Sequence, residues 1–436
     1  MIEVLAIISQ LFFFLIIFSF PFTPKILNNF FVFEKKNLNL IDAHGLNIIF
    51  FIYFCLIFSF FNFDLKILFK IYFLLALFFT LINFKKITEN ININDVFKFI
   101  IFLMIVISIF FSIAQSVKLE WDGFFWMDKV LVFKNGEGIE NLSTHSLKYP
   151  HLGSYLWAFF WKNSLIEIEY FGRLFYTYFY IISIFLIFNI SIVNNKNLKI
   201  LILFIFIILT YEPYLLSGYQ EYLIFSTLLI ASRFIHLLNF NNSKETKLIF
   251  LIFLILYLLC WFKNEGTVYF LIFSLTLIYF LKISNQKKIL FFLSIPILFY
   301  IKLLLENNLI GINNLDNIHK FDINFLFRED FQILLIKIFK ILYHTIISFL
   351  KHPIWLLIIS SIIYFMLLIN SKLDKKIKYF TICILLNFGF IFTIFLNFSN
   401  IDFMLGLALD RLLFQTSGFY AILVLIIFNN LKLFKK

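Results

Sequence analysis

Long apolar runs recur from near the first residue of this chain to near its last, and they decide what it can fold into. "LIFLIFLILYLLCWF" (Leu248–Phe262) and "ILILFIFIIL" (Ile200–Leu209) contain no charged or amide side chain. A bilayer solvates such runs, and a spanning helix needs roughly 20 apolar residues, with about 17 sufficient. With 62% hydrophobic residues, 14% charged and a mean hydropathy of +0.95, an ordinary soluble domain is excluded. Spans are expected near Ile2–Phe20, Leu46–Phe61, Leu65–Phe84, Phe97–Gln115, Phe171–Ile190, Leu198–Leu215 and Tyr222–Leu238. Further spans are expected near Leu248–Phe262, Val268–Ile283, Ile289–Leu305, Ile354–Ile369, Phe380–Leu396 and Leu412–Phe428. The expected fold is therefore all-α, a polytopic integral membrane protein of about 13 transmembrane helices. Residues 1–96 hold the N-terminal transmembrane helices, and residues 97–436 form a second module with a long external loop at 116–170.

Lysines in short loops set the sidedness, because they collect on the cytoplasmic side and face anionic headgroups. Lys85-Lys86, Lys196 and Lys199, Lys244 and Lys247, Lys287-Lys288, the Lys372–Lys378 group and the C-terminal lysines all fall on one side of the expected map. The net charge of +12 is thus a membrane signal and not a nucleic-acid one. Between Phe331 and Lys351, Lys337, Lys340, His344 and Lys351 are offset by 3, 7 and 14 positions, which keeps them on one helical face. That pattern predicts an amphipathic helix lying on the outer membrane surface. Cys55, Cys260 and Cys383 sit inside apolar runs, without metal spacing or a disulfide framework. No basic stretch precedes the first run, so no cleavable signal peptide is expected. Abundant Phe, Ile, Asn and Lys read as AT-rich coding, which points to a bacterial inner membrane and makes the 68 Phe weak evidence for any aromatic function.

On this map the remaining polar segments share the outer side. "EWDGFFWMDKVLVFKNGEG" (Glu120–Gly138) opens the external loop and sets Asp122 and Asp128 among Trp121, Trp126 and two phenylalanines, with Lys129 behind. "YEPYLLSGYQEY" (Tyr211–Tyr222), "WFKNEG" (Trp261–Gly266) and "LDRLLFQ" (Leu409–Gln415) are the other outer segments. Single lysines at helix ends are ordinarily snorkelling anchors, and Glu265 beside Lys263 or Asp410 beside Arg411 are expected as local ion pairs. Asp122 has no adjacent cation; the nearest on its own face is Lys129. Charges at lipid depth are expensive and usually mark a site. A carboxylate in a dry, aromatic-lined pocket works as a general base, because burial raises its proton affinity. Together with nearby cations and sugar-stacking aromatics, it suits a lipid phosphate that carries a sugar.

The chain resembles membrane-embedded glycosyltransferases of the GT-C superfamily, particularly the branch of the dolichyl-phosphate-mannose–protein mannosyltransferases and lipid A aminoarabinose transferases. "WDGFFWMDK", "KYPHLGSYLWAFFW", "SGYQEYLIFSTLLIA", "WFKNEG" and "LDRLLFQ" carry the resemblance, in order, over most of the chain after Phe97. Gly123 and Phe124 depart from that pattern, as do His151 and Glu221, which stand where Pro and Asp are common.

The resemblance implies inverting transfer of a sugar from a polyprenyl-phosphate donor to a glycan, lipid or protein acceptor. Asp122 is the implied general base; Lys129, Lys263 and Arg411 are implied to hold the donor phosphate. Glu221 and Glu265 would position sugar hydroxyls or orient those cations. Tyr149 and His151 would line the acceptor path, beside Trp121, Trp126 and Asp128. No cofactor or metal is expected, although Asp122, Asp128 and Glu221 have the oxygen ligands a hard cation prefers. Beyond the donor and acceptor, membrane lipids are the expected partners. A transporter or flippase of lipid-linked saccharides is the rival from another class, but no internal repeat accompanies it. A surface-polysaccharide polymerase or ligase is the rival enzyme, with His319 and Arg328 in the late loop.

Overall fold

In lipid, backbone N–H and C=O groups must find partners inside the protein, and a helix supplies them locally. The computed structural model describes residues 2–19, 38, 40–88, 101, 105, 119, 121–144, 149–186, 196–212, 217–241, 245–310, 330–368, 374–398 and 400–430. All regular structure among these residues is helical. In chain order the helices are α1 (Ile2–Ser19), α2 (Leu40–Phe58), α3 (Leu65–Thr88), α4 (Trp121–Lys134), α5 (Leu152–Lys162), α6 (Tyr170–Phe185), α7 (Lys196–Thr210) and α8 (Glu221–Leu237). They continue as α9 (Thr246–Tyr257), α10 (Leu259–Phe262), α11 (Glu265–Phe280), α12 (Asn285–Leu305), α13 (Phe331–Lys351), α14 (Pro353–Leu368), α15 (Lys375–Leu396), α16 (Ile401–Met404) and α17 (Asp410–Asn430). Ile139–Thr144 is a 3-10 helix, and Glu306–Ile310 and Leu405–Leu409 are π-helical.

Among the described residues, six helical stretches are long and apolar enough to cross a membrane: Leu40–Phe58, Leu65–Ile82, Asn285–Asn308, Phe331–Lys351, Lys375–Leu396 and Ile401–Phe428. They are compatible with an integral membrane protein. Ile2–Phe18, Lys199–Thr210, Thr246–Phe262, Glu265–Phe280 and Pro353–Met366 are apolar but shorter. The span expected near Phe97–Gln115 falls outside the described residues. The outward faces are as apolar as the interior: Leu81 on α3, Leu290 on α12 and Phe339 on α13 are each about two-thirds exposed. Water does not tolerate apolar patches of that extent on a monomer, whereas lipid does.

At the centre, α8 packs against α17 and α6, and every residue from Glu221 to Ile235 is buried. A helix buried all round belongs inside the bundle. Phe225 of α8 stacks on Phe414 of α17, their rings 5.0 Å apart and 7° from parallel.

One boundary differs instructively from the sequence reading. α2 begins at Leu40, six positions before the expected Leu46, and so takes in Asp42 and His44. Both are fully buried because both are satisfied. Arg233 of α8 grips the Asp42 carboxylate with two bonds of 2.9 and 3.1 Å, and Tyr178 of α6 reaches His44 at 2.5 Å. Arg233 is therefore half of a buried bidentate pair.

The two ends of the bundle differ in chemistry. At one end Lys376 donates to the His236 carbonyl at 2.5 Å, and Lys287 meets Thr246 at 3.0 Å, gathering the end of α8 and the starts of α9, α12 and α15. At the other end lie the starts of α4, α8, α11 and α17. Helix α13 belongs to this second end throughout. Its Lys351 pairs with Asp410 at 2.9 Å, and its Lys337 reaches the Leu396 carbonyl, at the close of α15, at 3.3 Å. Of its basic stripe only Lys337 is buried; Lys340 and Lys351 stay 41% and 60% exposed while pairing with Asp402 and Asp410.

Candidate functional site

Helix α4 meets the turn ahead of α8 backbone to backbone, and that contact builds the site. A β-carbon added at Gly123 would lie 2.2 Å from the Ser217 carbonyl oxygen, so no other residue fits without a shift. Gly218 answers from the turn with φ +89°, a conformation glycine adopts freely. The approach sets Asp122, in the first turn of α4, beside Glu221, the first residue of α8. Lys263 sits extended between α10 and α11, at φ −152° and ψ 159°. That break turns its side chain toward the same point. Arg411, in the first turn of α17, completes the group.

The four form a chain of charge that runs from Asp122 through Arg411 and Glu221 to Lys263. Glu221 Oε1 accepts from Lys263 Nζ at 2.8 Å and from Arg411 Nε at 2.7 Å. Arg411 Nη2 also contacts Glu221 Oε1 at 2.5 Å, and it donates to Asp122 Oδ2. Glu265 lies 3.9 Å from Lys263. Exposure grades outward: the Glu221 side chain is 0% exposed, Arg411 13% and Asp122 33%. Asp122 is thus the rim of the group and Glu221 its root. Burial alone would weaken the proton affinity of Lys263, but the Glu221 and Glu265 carboxylates more than reverse this and hold its pKa above the ordinary value. Arg411 also lies over the Tyr219 ring, 4.5 Å from its centroid. Three carboxylates and two cations leave the group one negative charge in excess. Glu221 Oε2 and Glu265 Oε2 are buried oxygens without a hydrogen-bond partner among the described residues. Chemically, the group offers acceptors to a ligand that brings hydroxyl or ammonium protons.

Comparison of the chain with protein-family models, with curated proteins and with solved structures finds no match. The geometry alone bears on the residues picked out from sequence. Asp122, Glu221, Glu265, Lys263 and Arg411 come together, from four separated segments. Lys129 does not join them. It is buried, donates to the Tyr149 carbonyl and lies 5.7 Å from the centroid of the Trp126 ring. Burial pulls its pKa down to about 7, partly offset by the Glu306 carboxylate. Tyr149 stands between the two groups: burial first, then Asp122 and Glu265, raise its phenol pKa, while Lys263 and Arg411 lower it. The Trp126 ring lies 5.4 Å from that of Tyr149.

His151 is buried, not set along an open path. Its Nε2 meets Ser59 Oγ of the α2–α3 turn at 2.8 Å, and burial holds it neutral with a pKa of about 3. Asp128 is exposed on α4 and takes part in no ion pair among the described residues, so it does not join a carboxylate group with Asp122 and Glu221. The Trp121 side chain, His319 and Arg328 lie outside the described residues. No cluster of three or more metal-ligating side chains occurs among those described. Asp410 does not pair with Arg411; it accepts from Ser348 and Lys351 of α13. Sequence reasoning missed Lys302 and Glu306, a pair 2.5 Å apart beside Lys129. Their four-residue spacing was the available signal.

Proposed function

We propose that this chain is a membrane-embedded glycosyltransferase of GT-C type, moving a sugar from a polyprenyl-phosphate donor to an acceptor at the outer face of a bacterial inner membrane. The observation that carries the reading is the partly open Asp122 carboxylate at the rim of a buried Glu221–Lys263–Arg411 group. A base must reach substrate, and it must be held in one orientation. Arg411 supplies the orientation, and the exposed third of Asp122 supplies the access. In the reaction, an acceptor hydroxyl gives its proton to Asp122 while its oxygen attacks the anomeric carbon. The bond from that carbon to the donor phosphate breaks, and the phosphate leaves with the electron pair. Glu221 and Glu265, with unshared carboxylate oxygens, accept hydrogen bonds from sugar or acceptor hydroxyls. The fuller topology of about 13 spans, with the lysine-bearing end cytoplasmic, belongs to the same proposal.

The test is transfer of radiolabelled sugar from membrane polyprenyl-phosphate pools, comparing wild type with Asp122→Asn and Asp128→Asn at matched expression. The expected result is loss of transfer, with lipid-linked sugar accumulating, in Asp122→Asn alone. Full transfer by Asp122→Asn would remove the proposed base. Absence of transfer in every form, together with an altered sidedness of the lipid-linked pool, would favour a flippase.

A further inference from the structure

Helices α13 and α14 meet at a corner whose cause is Pro353. Proline disfavours helical backbone in the residue before it, and His352 accordingly leaves the helix at φ −111° and ψ 79°. Pro353 then opens α14, where its missing N–H is no loss. Four polar groups leave this corner: the Ser348 hydroxyl, the Lys351 ammonium, the His352 imidazole and the indole N–H of Trp355.

Three of them hold residues on either side of Arg411. Ser348 and Lys351 both donate to the Asp410 carboxylate, Lys351 at 2.9 Å. Trp355 Nε1 donates to the Leu413 carbonyl at 3.0 Å. Arg411 lies between those two positions, so the start of α17 is gripped before and after it. The Lys351 side chain is 60% exposed, so its pair adds little. Ser348 and Trp355 are buried and hold more firmly.

The fourth group leads to Glu221. His352 Nδ1 lies 2.5 Å from Glu212 Oε1, with 6% and 16% of the two side chains exposed. Glu212 follows α7, and its backbone holds Tyr222 twice. Its N–H donates to the phenol oxygen at 2.8 Å, and that hydroxyl donates to its carbonyl at 2.9 Å. Tyr222 is fully buried and directly follows Glu221. One corner thus reaches the chain neighbours of both Glu221 and Arg411, which meet each other at 2.7 Å.

We propose that the α13–α14 corner is a clasp that positions Arg411 and Glu221 from behind, with His352 and Asp410 as its positioning residues. Neither residue touches Asp122; each acts through a chain neighbour of the group that orients it. A misplacement of about 1 Å can cost about a hundredfold in rate, so such a clasp decides whether Asp122 is aimed. That catalytic consequence rests on the transferase reading; the clasp itself rests on the contacts of Ser348, His352 and Trp355.

The test reads the surroundings of position 122 without any sugar donor. Asp122→Cys places a thiol beside Arg411, while the native Cys55, Cys260 and Cys383 are buried. Its reaction with a water-soluble thiol reagent is followed against pH on the purified full chain in neutral detergent micelles. The midpoint is expected about one unit or more below the ordinary thiol value of about 8.5, because the guanidinium favours the thiolate. Adding Arg411→Gln should abolish that shift. Adding His352→Leu or Asp410→Ala should abolish most of it, whereas His352→Gln, which keeps a donor for Glu212, should retain it. Lys340→Gln, which frees only the exposed tie to Asp402, should leave the midpoint in place. Should either disruptive variant lose the parent's helical circular dichroism, Trp355→Phe, which removes one N–H, takes its place with the same outcomes. An unmoved midpoint in the clasp variants, or an equal shift in Lys340→Gln, would overturn the proposal. The expected shifts in a chain whose native form transfers no sugar would sink the transferase reading and leave the clasp standing. Transfer by the native form with unmoved midpoints would do the reverse.

Discussion

Replacing Glu221 by Gln tests whether the buried charge group is held together as the geometry indicates. The side chain keeps its shape and loses its charge, facing Lys263 at 2.8 Å and Arg411 at 2.7 Å. Removing one partner of a buried ion pair costs about 3–5 kcal/mol, because the remaining charge stays uncompensated. Here Arg411 keeps Asp122, and Lys263 keeps only Glu265 at 3.9 Å, so the lower end, about 3 kcal/mol, is expected. Glu265→Gln is the comparison: its contact is long and its side chain 28% exposed, which predicts under about 1 kcal/mol. The double variant Glu221→Gln with Lys263→Gln removes a cation with its carboxylate and should cost less than the two single changes added, by about 0.5–3 kcal/mol. Unfolding of the purified chain in mixed micelles titrated with dodecyl sulfate, followed by helical circular dichroism, reads wild type and the four variants, Lys263→Gln alone included. A Glu221→Gln cost no larger than that of Glu265→Gln, or strict additivity in the double variant, would refute the ion-pair account.

Four further variants probe other parts of the molecule. Gly123→Ala should lose sugar transfer by about tenfold or more, because its methyl would sit 2.2 Å from the Ser217 carbonyl and push Asp122 away. Gly389→Ala, with open space around it inside α15, should transfer as wild type and gain about 0.5 kcal/mol of stability. Lys129 has a folded pKa of about 7 against an ordinary unfolded value of about 10.4, so between these the unfolded chain binds more protons. Stability should therefore rise with pH from about 7 to about 10.4, stay flat in this respect below 7, and lose the rise in Lys129→Met, as unfolding titrations at several pH values would show. Leu290→Lys, on the outward face of α12, should cost about 2.5–3.5 kcal/mol of membrane insertion if that face meets lipid near the bilayer centre. An unchanged membrane-inserted fraction, measured by alkaline extraction, would place that face in water.

How far the sequence reaches depends on which contacts are local. The helical class was legible in runs such as Leu248–Phe262, since hydropathy is a property of a contiguous segment. Span count was less so: by length and apolarity six stretches qualify among the described residues, because runs such as Lys199–Thr210 and Glu265–Phe280 fall short as helices. The start of α2 was illegible for a definite reason. Asp42 and His44 read as loop residues until Arg233, 191 positions away, is brought to the carboxylate. Polar residues mark a helix end only when no distant partner pays their desolvation. The lysine stripe of α13 was legible as one helical face, but its partners were not, since Asp402 and Asp410 lie in another segment.

The same limit governs the site. Sequence order placed five of its charged residues on one side, and they do meet. It could not say which charge answers which, and there the local reading erred. Asp410 and Arg411 are neighbours in the chain yet point to different partners, because successive residues of a helix lie about 100° apart. All three cations looked equally available for a phosphate. Lys263 and Arg411 are already answered by Glu221 and Asp122, so the group they belong to is negative overall. Lys129 is answered instead by the Tyr149 carbonyl, away from that group. For the proposed transfer, a buried negative group with spare carboxylate oxygens suits hydroxyls better than a departing anion. That preference depends on net charge within the buried group, a quantity that exists only after folding.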